Sequence, residues 1–147
     1  MGTASCLRGS GVDAVQALFE QVIARIRAGG LREVYPSFDA VPVPKKSSTL
    51  FAVVEPKQVQ MDAPFADGSR GAVPFTAVYS IHLLIPMTEP IETAEDVFYG
   101  TVLPSLAPMG CVLCEVVPAH VDVKLGRVVM EAKCRQRGVY LREEADA

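Results

Sequence analysis

The chain has 147 residues, with 14 Lys and Arg against 17 Asp and Glu, a formal net charge of −3. That length sets one domain burying roughly two-thirds of its unfolded surface. The acidic balance excludes a protein that coats nucleic acid through surplus cations, and specific nucleic-acid binding is not expected. Charged residues are 21% and hydrophobic residues 50%. So few charges on so small a domain imply that another chain covers part of its surface.

No run approaches the roughly 20 apolar residues that span a bilayer, so no membrane partner is expected. The first residues, MGTASCLRGSGVDAV, carry one cation and no apolar core. Secretion by a signal peptide is therefore not expected, and the interior of a cell is the default location. Cys6, Cys111, Cys114 and Cys134 are too few and too scattered for a disulfide scaffold.

In chain order, residues 1–11 are small, polar and Gly-rich and read as a flexible N-terminus. Val12, Val15, Leu18, Phe19, Val22, Ile23 and Ile26 recur at spacings of three and four, which predicts a helix over about 12–28. Gly29 and Gly30 end it. Residues 35–48 carry three prolines and no period, and read as an extended connector. The run TLFAVVEP predicts a strand at 49–55 that resumes past Pro56 as an edge strand or a bulge.

Asp67-Gly68-Ser69-Arg70-Gly71 is a turn signal. The clearest strand follows it. Phe75, Ala77, Tyr79, Ile81, Leu83 and Ile85 share one parity, while Thr76, Ser80 and His82 share the other. A sheet covered on one side has that pattern. Thr93 is placed to cap a second helix at about 93–106, with Glu95 and Asp96 in its first turn and Pro104 set to kink or end it. A strand at 111–117 is interrupted by Pro118, and Lys124-Leu125-Gly126 marks a hairpin. The last strand, about 127–141, puts Val128, Met130, Ala132 and Cys134 on one face. Glu131, Lys133, Arg135 and Arg137 fall on the other.

The expected fold is therefore α+β in the order α-β-β-α-β-β. An antiparallel sheet of about four strands, as two hairpins, carries two helices on one face. A single domain is expected over 12–141, followed by an acidic tail at 142–147.

Chemistry is sparse. Cys111-x-x-Cys114 with His120 and Cys134 offers four soft ligands, the number zinc needs. A strand places residues three apart on opposite faces, and Val112 and Leu113 are poor knuckle residues, so packed core cysteines are the favoured reading. A thioredoxin-type pair needs a helix N-terminus at its first cysteine. His82 and His120 are potential general bases, but no nucleophile elbow or triad signature accompanies them. No P-loop or Gly-x-Gly-x-x-Gly occurs. Neither an enzyme nor a cofactor is expected. Lys133, Arg135 and Arg137 form a solvated face or an electrostatic protein contact.

The layout resembles the tail terminator, or tail completion, proteins of long-tailed bacteriophages and their prophage relatives. The resemblance covers about residues 12–141. Its pieces are the helix ending near Gly29, the connector with Tyr35-Pro36, the strand TLFAVVEP, the run PFTAVYSIHLLI, and VDVKLGRVVMEAKCRQRGVY with Asp122 and Leu125-Gly126-Arg127. Pro104, Pro108 and Cys111-x-x-Cys114 depart from the pattern. The resemblance implies a structural virion protein that forms a ring, commonly a hexamer, capping the tail tube and presenting a surface to the head connector. The implied location is the virion tail, or the host cytoplasm during assembly. A closed ring needs two different patches on each subunit. The candidates are the 62–73 loop, with Asp67 and Arg70, and the basic row Lys133, Arg135 and Arg137. The competing readings are another α+β assembly or ligand-binding module, and a small thiol- or zinc-dependent enzyme.

Overall fold

In the computed structural model the described residues are 5–8, 11–42, 49–61 and 72–141. Helix α1 spans Gly11–Ala28. Ala14, Leu18, Val22 and Ile26 on its apolar stripe are fully buried, as the three-and-four spacing requires. Gly30 follows at φ 125°, a conformation that suits glycine.

The strands are β1 (Ser5–Arg8), β2 (Val34–Tyr35), β3 (Phe51–Met61), β4 (Ala72–Pro86), β5 (Val112–Asp122) and β6 (Arg127–Leu141). The four long strands pair antiparallel in the spatial order β3-β4-β6-β5. The last strand is therefore interior, between β4 and β5. The expected all-antiparallel sheet of about four strands is corrected to a mixed sheet, because two short strands add parallel pairs. β2 lies beside Ala52 and Val53 of β3. β1, in the stretch read as a flexible N-terminus, pairs with Gly138–Leu141 of β6. Pieces of two and four residues are too short to show an alternation, so only non-local pairing reveals them.

The alternation on β4 is realised. Phe75, Ala77, Tyr79, Ile81, Leu83 and Ile85 are all buried, facing Ala132, Met130, Val128 and Cys134 of β6 in one core with α1. Pro56 does produce the expected irregularity: the register of β3 shifts between Pro56 and Gln58. β5 runs on through Pro118 as one strand, with shifts at Leu113/Glu115 and Val117/His120. Gly126 closes the β5–β6 turn at φ 62°, and Asp122 Oδ1 accepts a hydrogen bond from the Leu125 N–H at 3.0 Å.

The second helical segment begins with α2, Ile91–Val97. Its N-cap is Pro90 rather than Thr93, and no side chain caps it. The segment continues through a π-helical turn at Phe98–Val102, an α-helical turn at Leu103–Leu106 and a 3₁₀ turn at Ala107–Met109. Pro104 neither breaks nor sharply ends it. A proline ring clashes with the carbonyl four residues back and donates nothing. The wider turn, closed by the Leu103 N–H on Phe98 O, accommodates it. Ala94, Phe98, Val102 and Leu106 complete the core. No helix among the described residues is long and apolar enough to cross a membrane.

Candidate functional site

Both helices cover the same side of the sheet, so chemistry on the other face is set by strand parity. Reading across β3, β4, β6 and β5, that face is built of rows. Phe51, Leu84, Val129 and His120 form the first row, and Val53, His82, Glu131 and Val117 the second. Glu55, Ser80, Lys133 and Glu115 form the third, and Gln58, Val78, Arg135 and Val112 the fourth. Gln60, Thr76 and Arg137 close the sequence. The face thus grades from apolar at one end to basic at the other.

The apolar end is not bare. Val41, from the proline-rich connector, packs on Phe51, Val53 and Leu84 in a second small core, flanked by Tyr35 and Val129. Arg127 is buried beside it, at 3% exposure. Its Nε donates to Ile85 O at 3.1 Å, its Nη2 donates to Thr49 O, and its guanidinium lies 5.2 Å from the Phe51 ring centre. Sequence reasoning missed this residue, since an arginine at a hairpin base ordinarily faces water.

The middle rows hold the most concentrated chemistry. His82 Nε2 lies 3.0 Å from Glu55 Oε1, and its Nδ1 lies 3.5 Å from Glu131 Oε1. Lys57 Nζ approaches Glu55 Oε1 to 2.7 Å. The Lys57 hydrogen bond, and then the His82 one, hold the Glu55 carboxyl below the usual glutamate range. Phe38 tilts onto the imidazole with ring centres 5.6 Å apart. A groove of about 250 Å³ opens here between Phe38, His82, Val117, Asp122 and Leu125. Each imidazole nitrogen already faces a carboxylate oxygen, so His82 acts as a clamp between β3 and β6. A general base would need a nitrogen directed at a substrate proton.

The basic end is open. Lys133, Arg135 and Arg137 are exposed along β6. β5 pairs only with β6, so its outer edge has no partner strand among the described residues. Val112, Val117, Val121, Val123 and Leu125 are exposed along that strand and its turn, Val123 at 86%. Asp67 and Arg70 lie outside the described residues.

The proposed zinc donors are not gathered. His120 stands opposite Val129, five residues along β6 from Cys134, or about 16 Å at the rise of a strand. Its Nδ1 lies 3.0 Å from Pro118 O. Cys114 is exposed. No group of three or more His, Cys, Asp or Glu among the described residues is placed to hold a metal. On the helix side, however, Cys111, Cys134 and Tyr79 do meet. The Tyr79 hydroxyl donates to Cys111 Sγ at 3.3 Å. Interaction with the Cys134 thiol, and then the Tyr79 bond, outweigh burial and bring the Cys111 thiol down to about 7. Spacing alone could not reveal a cluster drawn from three separate segments.

No family model matches the chain, and no curated protein sequence matches it significantly.

Proposed function

We propose that the chain is a structural subunit of a phage or prophage tail. It resembles the tail terminators, works without catalysis or a cofactor, and assembles into a ring of six copies. The ring caps the tail tube and meets the head connector. The observation that carries the self-assembly is the outer edge of β5, an 11-residue strand that has no partner there among the described residues and carries, with its turn, five exposed apolar side chains. Such an edge invites pairing unless something covers it. A ring contact is heterologous, so a different patch of the neighbouring subunit must cover it. The outer edge of β3 beyond Val53 has no partner strand among the described residues, and exposed Val59 and Met61 lie along it, which supplies such a patch. Lys133 and Arg135 stand opposite Glu115 and Val112 of β5, and Arg137 continues the exposed row past the strand's start, where charge sets the register of a contact.

Reversing Arg135 and Arg137 to Glu tests the assignment. Sedimentation velocity is expected to show the closed oligomer lost, while circular dichroism and the urea midpoint stay close to the parent. An unchanged oligomer rejects the basic row as interface.

The groove beside His82 favours a ligand-binding module as the second reading. Its volume of about 250 Å³ falls below the roughly 300–1,000 Å³ of small-molecule pockets, which places that reading behind the ring.

A further inference from the structure

Cys111, Cys134 and Tyr79 form a cluster that the ring reading does not use. Cys134 is fully buried and stands directly opposite Tyr79 of β4 and Leu113 of β5. Cys111 is the residue immediately before β5, half-buried, just after the left-handed Gly110 that ends the helical segment. Its sulfur accepts a hydrogen bond from the Tyr79 hydroxyl at 3.3 Å, and the neighbouring Cys134 thiol favours its ionised form further. A hydroxyl donor on the sulfur, with a second thiol beside it, favours the thiolate. Cys114, three residues on, points away, with its thiol 3.7 Å from Val112 O on the exposed side.

We propose that Cys111 is a peroxide-reactive thiol, and that Cys134 resolves its oxidised form into a reversible Cys111–Cys134 disulfide. The accessible sulfur is the attacking group and the buried one the resolving group. The Cys111 thiolate attacks one oxygen of a hydroperoxide and the O–O bond breaks. The other oxygen leaves as alkoxide or hydroxide and takes a proton from solvent. Cys111 becomes a sulfenic acid, its sulfur oxidised by two electrons as the peroxide is reduced. The Cys134 sulfur then attacks Cys111, the S–O bond breaks, and the departing hydroxide takes the Cys134 proton and leaves as water. A dithiol returns both sulfurs to thiols.

The low thiol value of Cys111 supports the geometry. Against an ordinary thiol at 9.0, a thiol at about 7 has roughly 50-fold more thiolate at neutral pH. The lower nucleophilicity of the weaker base returns roughly eight-fold of that, leaving an advantage of about six-fold.

The test uses the full chain with Cys6→Ser and Cys114→Ser, so that Cys111 and Cys134 are the remaining thiols. Hydrogen peroxide is the probe, with intact mass and peptide mapping as readouts. The expected result is a loss of two hydrogens at Cys111 and Cys134, reversed by dithiothreitol. Adding Cys134→Ala should replace the disulfide by a dimedone-trapped sulfenic acid on Cys111. Iodoacetamide labelling of Cys111 should rise with a midpoint near pH 7, and Tyr79→Phe should move that midpoint upward. Circular dichroism establishes that each variant is folded. A labelling midpoint near 9 in the folded parent, or peroxide-treated chains in which Cys111 carries two or three oxygens with no disulfide, overturns the proposal.

Discussion

Gly138 offers the sharpest test of the packing. It sits on β6 opposite Phe75, whose ring is fully buried. A Cβ at position 138 would lie 2.4 Å from Phe75 Cζ and 2.8 Å from Cε1. Ordinary contact begins about 1 Å farther out, and a buried ring has no solvent to retreat into. Two effects of Gly138→Ala oppose each other. Restricting the unfolded chain stabilises by about 0.4–1 kcal/mol. Overpacking the core costs about 1–3 kcal/mol. The expected net is a loss of about 1–2 kcal/mol, or roughly 2–8 °C in Tm for a domain of this size. Urea unfolding followed by circular dichroism measures it. Phe75→Leu shortens the ring that causes the clash. Its cost in the Gly138→Ala background should therefore be smaller than in the parent by at least about 0.5 kcal/mol. A Gly138→Ala chain as stable as the parent, or strictly additive substitutions, would refute the overlap.

Two further predictions follow from the open face. Arg127→Met keeps the apolar stem over Phe51 but withdraws the donors from Ile85 O and Thr49 O. At about 1–3 kcal/mol for each unsatisfied acceptor, offset by relief of a buried charge, the expected loss is about 2–4 kcal/mol by chemical denaturation, and a neutral result would remove Arg127 from the fold's supports. The depressed Glu55 carboxyl fixes the sign of a pH effect: its contribution is fully present above its ordinary value of 4.5 and is lost as pH falls through the lower folded value. The stability difference between the parent and Glu55→Gln should therefore shrink between pH 7 and pH 3 in parallel urea titrations, and a difference that grows on acidification would contradict the Lys57–Glu55–His82 geometry.

Where side-chain pattern and local spacing carry the information, the sequence was legible. The stripe from Val15 to Ile26 and the parity of Phe75–Ile85 each follow from one element meeting one core. β1 and β2 were not legible, because parallel pairing between distant segments leaves no local period. The prolines of the connector predict extended chain and say nothing of packing, yet its Val41 covers Phe51, Val53 and Leu84. His82 was correctly placed on the polar face. Its partners Glu55 and Glu131 come from strands on either side, 27 residues before it and 49 after it, so only the sheet order β3-β4-β6 joins them. The same holds for Cys111, whose neighbours Tyr79 and Cys134 share its side of the sheet but not its stretch of chain.

Native mass spectrometry of the purified chain across a concentration series, in metal-free buffer, tests the ring most directly. The predicted result is a closed oligomer at six times the chain mass, unchanged on dilution and lost in the Arg135→Glu, Arg137→Glu chain. A monomer at every concentration would contradict the self-assembling ring, and an open ladder of masses would show that the β5 edge pairs without closing.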